Sequence, residues 1–186
     1  MNYENSPEDD GSPVSPGELK TAIERVLAEQ LPGLRTLGFD LDLREALDLP
    51  ALLLEVSEFE PGSVDPGTGE SRISLHIEAR IVVAPEAEDF QGLALHLATQ
   101  LAHMLRGQTW GVEVEPAAFV EAGRDWTRPE FDSYHVWLVQ WRQEILLGRE
   151  EWPWSDETGQ RLLIGIDPET GPGHEGCYVP AEELSG

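Results

Sequence analysis

Between Ser71 and Val83 apolar side chains recur at every second position: Ile73, Leu75, Ile77, Ala79, Ile81 and Val83 alternate with Ser74, His76, Glu78, Arg80 and Val82. A period of two puts the first set on one face of an extended strand and requires that face to be buried, whereas the second set tolerates water. Pro85 stops the strand, and beyond it the period lengthens to 3.6. Phe90, Leu93, Ala94, Leu97, Leu101, Met104 and Leu105 then line one side of a helix. The spacing predicts a helix from Pro85, with Glu86, Glu88 and Asp89 in its first turn, Arg106 in its last and Gly107 as its C-terminal cap. Leu95, Ala98 and Ala102 carry the apolar surface past one stripe. Protein is therefore expected on two sides of this helix, the sheet on one and an edge element or another subunit on the other.

The other patterns supply partners for these two elements. Ser15-Pro16-Gly17-Glu18 has the spacing of a capping box with proline at the first helical position. Leu19, Ile23, Val26, Leu27 and Leu31 mark the buried face of the helix that follows, and Pro32-Gly33 ends it. Leu37, Phe39, Leu41 and Leu43 alternate with Gly38, Asp40 and Asp42 as in a half-buried strand, residues 44–49 suit a helical turn, and residues 51–59 read as a central strand. Residues 60–70, rich in Gly and Pro, form a long connection between two strong strands, a length more often functional than inert. After the second helix come short segments at 110–115 and 119–122. In residues 133–147, Trp137, Val139, Trp141, Ile145 and Leu147 share one face and Gln140, Arg142 and Glu144 the other, which predicts a long strand beside Ser71–Val83. The prediction is an α+β fold: a mixed, mainly antiparallel sheet packed against two main helices, in a single domain with flexible acidic termini.

Charge sharpens the boundaries. The 186 residues carry a formal charge of −24, from 36 acidic and 12 basic side chains. Residues 1–14 hold four acids and no base, with too little apolar surface to offset the entropy of ordering, and are expected to be a disordered tail. Residues 151–186 hold eight acids and Arg161 in a Gly/Pro-rich extension, where only residues 162–166 suit a short strand. The domain proper spans residues 15–150 and keeps −13. Such acidity repels a phosphate backbone, because nucleic-acid binding draws on Lys and Arg displacing counterions. Its simplest role is solubility; mimicry of a DNA surface is a second. The single cysteine, Cys177, excludes an intrachain disulfide, and no apolar run approaches the roughly 20 residues that span a bilayer. The N-terminus lacks the apolar stretch of a secretory signal, so an intracellular product with no membrane partner is expected.

Catalytic chemistry finds little support. His96 and His103 point the same way on the second helix without the spacing or intervening Glu of a zinc-protease helix, and His174 and Cys177 offer at most two ligands where structural zinc needs four. Gly67-Thr68-Gly69 lies between strands with no Lys behind it, unlike a phosphate loop. No serine sits in a nucleophile elbow, and the paired acids Asp40 and Asp42 are explained by solvation. The reading is therefore non-enzymatic, with no cofactor and no metal.

The order of elements over the middle three-quarters of the chain resembles the tail terminator proteins of tailed bacteriophages, particularly Mu-like phages with contractile tails. The residues that carry the likeness are Leu49-Pro50-Ala51-Leu52-Leu53-Leu54-Glu55, Ser71–Val83, Leu93 to Leu105 leading to a Trp-containing strand at Trp110, and Val136-Trp137-Leu138-Val139-Gln140-Trp141 followed by Leu146-Leu147-Gly148. The resemblance implies a structural virion protein that forms a ring, commonly a homohexamer, at the tail–neck junction after assembly in the host cytoplasm. It implies a tail tube, a sheath protein and a head–tail connector or neck protein as partners, with DNA passing through unbound. Docking is expected to fall on the hairpin loop, at Glu60, Gly62, Val64, Asp65, Gly67 and Glu70, and on Trp152 and Trp154 at the head of the extension. The alternative is an acidic interaction protein acting alone, a DNA mimic or an inhibitor of a nucleic-acid enzyme.

Overall fold

The chain builds helix α1 (Pro16–Gln30), strands β1 (Thr36–Phe39), β2 (Ala51–Pro61) and β3 (Ser71–Val83), helix α2 (Phe90–Met104), and strands β4 (Ala118–Arg124) and β5 (His135–Leu147). They are seen in a computed structural model that describes residues 13–41, 47–64, 66–148, 163–164 and 172–180. The chain divides into two compact units, Met1–Trp152 and Pro153–Gly186. Residues 1–12 of the tail expected at 1–14, Asp42, Leu43, and residues 44–46 of the helical turn expected at 44–49 lie outside the described residues; residues 47–49 of that turn are described and are not helical.

The first unit is the predicted α+β arrangement. Its sheet has the order β1-β2-β3-β5-β4, in which β1 runs parallel to β2 and every other neighbouring pair is antiparallel. The alternation read at 71–83 puts Leu75, Ile77, Ala79 and Ile81 on the face that the helices cover. There they share one core with Leu19, Ile23 and Leu27 of α1 and with Leu97, Ala98 and Leu101 of α2. A smaller apolar cluster, Ala51, Leu53, Val82, Phe131 and Val136, lies on the opposite face, so Val82 is buried where water was expected. Ser74 and Arg80 on that face are buried too.

The capping box forms as predicted: Ser15 Oγ accepts from the Glu18 amide at 3.2 Å while Glu18 Oε2 accepts from the Ser15 amide at 2.8 Å. Val14, assigned to the tail, packs against the core. The first strand is shorter than its alternation suggested. It stops at Phe39 because Asp40 turns left-handed (φ 51°), and Leu41 packs instead with the smaller cluster.

The start of α2 also differs from expectation. Asp89 takes a left-handed conformation (φ 51°) and its Oδ1 accepts from the Gly92 amide at 3.2 Å, so the helix begins at Phe90, and Glu86 and Glu88 lie in the turn before it. The carboxylate satisfies a free amide of the first turn, which fixes the start there rather than at Pro85. Gly107 (φ 68°) follows the helix in the left-handed conformation expected of it.

The segment at 110–115 is not a strand, which corrects the Trp-containing strand implied there. Trp110 (φ 62°) and Gly111 (φ 73°) are both left-handed, so the chain turns instead of extending. Trp110 is buried, and its Nε1 donates to Gln143 Oε1 at 2.8 Å. Gln143 also donates to the Glu115 carbonyl, which explains how a polar residue occupies the buried face of β5 among Trp141 and Ile145.

In the second unit, β6 (Leu163–Ile164) pairs antiparallel with β7 (Val179–Pro180), and a 3-10 turn at Glu175–Cys177 precedes β7. The predicted strand at 162–166 is thus present at its centre, with a partner that the sequence pattern did not single out. Among the described residues no helix is long and apolar enough to cross a membrane.

Candidate functional site

The β2–β3 hairpin is longer, and its loop shorter, than residues 60–70 suggested. Pairing continues to Pro61 opposite Ile73, and the Gly62 amide donates to the Arg72 carbonyl at 2.9 Å. Glu60 therefore belongs to the ladder. Its Oε1 lies 3.1 Å from His76 Nε2 and 3.5 Å from Arg142 Nη1, and these contacts, the hydrogen bond from His76 foremost, hold its carboxyl below the ordinary range. Gly62 is pressed against Arg72, so that a Cβ there would collide with the Arg72 side chain. Ser63 donates to Glu144 through its amide (3.0 Å) and hydroxyl (3.1 Å). Residues 62–63 are thus tied down within the isolated chain, contrary to a loop that orders only on a partner.

Val64 is 65% exposed, Gly67 is left-handed (φ 70°), and Glu70 accepts from Thr68 Oγ1 at 2.9 Å. Asp65, Trp152 and Trp154 lie outside the described residues. Glu60, Ser63 and Val64 border a cleft of about 570 Å³ together with Arg72, Arg142 and Glu144. Arg72 spans it, 2.7 Å from Glu115 and 3.5 Å from Glu144, and the Glu115 hydrogen bond raises its already high pKa.

Sequence reasoning missed the edges of the sheet. β1 pairs only with Ala51 to Leu54, so on the side away from β3 residues 55–61 of β2 have no strand beside them among the described residues. Phe59, in this stretch, is 71% exposed. A bulge between Val56 and Glu58 shifts the alternation, so Phe59 lies opposite Leu75 on the helix-covered side. At the other edge β4 pairs, among the described residues, with β5 alone, and Phe119 is 49% and Val120 47% exposed. Just beyond it Trp126 is 74% exposed, with the Arg124 guanidinium 4.2 Å from its ring centroid. The only signal for these patches was the presence of aromatic residues in short strands, and telling an edge from a centre needs the strand order.

The face away from the helices carries an ion network. Arg80 donates from Nε to Asp125 Oδ2 at 2.8 Å and from Nη1 to Glu55 Oε2 at 3.1 Å, and it pairs with Glu78. Arg128 Nη2 reaches the same Glu55 oxygen at 2.6 Å, and Gln140 Nε2 donates to Glu78 at 3.2 Å. Burial pushes the Asp125 carboxyl up, but hydrogen bonds from the Thr127 hydroxyl and amide and from Arg80 outweigh it and leave the pKa lowered. His135, buried with its ring 5.1 Å from Phe90, has its pKa lowered by burial and secondarily by Arg124.

His96 and His103 are exposed on α2, and Cys177 is exposed in the second unit, as is His174. Among the described residues no three His, Cys, Asp or Glu side chains are grouped to hold a metal ion. A scan against models of known protein families matches none, and a search of curated proteins also finds no match.

Proposed function

We propose that this chain is a ring-forming structural subunit of the tail terminator type, which caps a phage tail tube, ends its polymerisation and offers the surface on which the head joins. The observation that supports this best is the pair of sheet edges that have no further strand among the described residues, one exposing Phe59 and the other Phe119 and Val120. Two unlike edges cannot satisfy each other within one chain. Mated from copy to copy in the same sense they form a heterologous contact, which closes into a ring when its rotation closes. Six copies is the number the resemblance implies. The hairpin cleft and Val64 are then surfaces for the tube, sheath or neck protein. At −24 per copy the lumen repels DNA, which passes without lodging. An acidic mimic acting alone gives no reason for two apolar edges.

The test is electron microscopy of particles assembled without this chain. Overlong tails and unattached heads are expected; tails of normal length joined to heads would refute the reading.

A further inference from the structure

We propose that the cleft at the hairpin end of the open sheet face binds a primary alkylammonium group, the side chain of a lysine that a partner protein inserts. This inference rests on the docking role given to the cleft above and names the chemistry of what docks there.

The floor of the cleft is a row across three strands. Ser74 of β3 pairs with Glu60 of β2 on one side and with Glu144 of β5 on the other, and all three line the cleft on the face away from the helices. Neighbours in such a row have β-carbons about 5 Å apart. Ser74 is 3% exposed, and its hydroxyl has no hydrogen-bond partner among the described residues. Buried hydroxyls are nearly always hydrogen-bonded, so this one points to a group that arrives from outside the chain.

The charges around the floor decide the sign of that group. Glu60, Glu115 and Glu144 line the cleft against two guanidinium groups, those of Arg72 and Arg142. Both arginines are already turned to carboxylates, Arg72 to Glu115 at 2.7 Å and to Glu144 at 3.5 Å, and Arg142 to Glu60 at 3.5 Å. Arg72 Nε, which has no partner, is buried out of reach. An anion would have to displace one of these pairs, whereas a cation meets the excess carboxylate. The contacts of Glu60 all fall on Oε1, which leaves Oε2 without a bond among the described residues. An ammonium carries three donors, one for the Ser74 hydroxyl and one for each flanking carboxylate, and its compact charge suits so narrow a floor better than a planar guanidinium.

The walls fit the stem of a lysine. Pro61 and Val64 of the hairpin, and Pro116 and Ala118 at the start of β4, are exposed along the cleft. Apolar walls above a charged floor match a chain of methylene groups that ends in a charge. The volume of about 570 Å³ lies within the range of about 300–1,000 Å³ common to ligand sites and admits the side chain with its flanking backbone.

The test is saturation-transfer NMR on the full chain at low salt, with Nα-acetyl-lysine methylamide as the probe. Saturable millimolar binding is expected, lost when the amine of the probe is acetylated and weaker for the arginine analogue. Glu60→Gln and Glu144→Gln should each weaken it about tenfold, and Ser74→Ala several-fold, in proteins whose circular dichroism is unchanged. No saturable binding, equal binding of the acetylated probe, or binding unchanged by all three substitutions would overturn the proposal. Equal binding of the arginine analogue would overturn the assignment to an ammonium. Each of these failures leaves the ring reading standing, because that reading is judged by tail length and head attachment.

Discussion

Replacing Arg80 by alanine tests how the open face of the sheet is held. Arg80 is 6% exposed, and the three carboxylates around it are not equally dependent on it. Glu55 keeps Arg128 at 2.6 Å and Glu78 keeps Gln140 at 3.2 Å, but the Asp125 carboxylate, whose side chain is 2% exposed, keeps only the hydroxyl and amide of Thr127. Breaking a buried ion pair from one side costs about 3–5 kcal/mol, because the remaining charge stays buried without its partner. Against a total of about 5–15 kcal/mol that is a large fraction. With a urea slope of about 2 kcal/mol per M, the midpoint should fall by about 2 M. Asp125→Asn, which removes the orphaned charge, should recover much of the loss in the Arg80→Ala background. The lowered Asp125 pKa sets the pH dependence: its contribution is full above the unfolded carboxylate value of 3.8 and is lost as pH falls through the lower folded value. In Arg80→Ala that loss should begin at higher pH. A midpoint shift under about 0.5 M, or no recovery with Asp125→Asn, would refute the reasoning.

Three further outcomes are expected. Deleting residues 1–12 should leave the melting temperature within a few degrees, whereas Ser15→Ala should cost about 1 kcal/mol by chemical denaturation through loss of the α1 cap. Leu97→Asp should abolish cooperative unfolding, since Leu97 is buried in the core and an unpaired charge there costs several kcal/mol, while His103→Ala, outside that core, should leave the thermal transition in place. Replacing Gly62–Gly69 by Asn-Gly removes the two Ser63 bonds to Glu144 but keeps the β2–β3 ladder through Pro61 and Ile73, so the subunit should still fold, while tails assembled with it should be overlong or headless; normal tails would remove the loop's docking role.

What the sequence disclosed was whatever depends on local period. The alternation at 71–83 and 133–147 located β3 and the greater part of β5, and the capping box at Ser15 located the start of α1. What it concealed depends on contacts made at a distance or on single dihedral angles. Asp40, Asp89 and Trp110 adopt left-handed conformations that shorten one predicted strand and one predicted helix and abolish a second strand, and no hydrophobic period records them. Gln143 interrupts the apolar row of β5, and only the fold brings Trp110 and Glu115 to it as partners. The edge patches were hidden for a related reason: Phe59 changes sides through a bulge, and Phe119 is exposed only because β4 is last in the strand order.

The central claim, a closed ring made by unlike edges, is tested most directly by native mass spectrometry of the purified full chain together with two-dimensional class averages. The account predicts a single closed species, six copies of the 20.6 kDa chain around an open centre. A monomer, or a dimer related by a two-fold axis, at every concentration would contradict it.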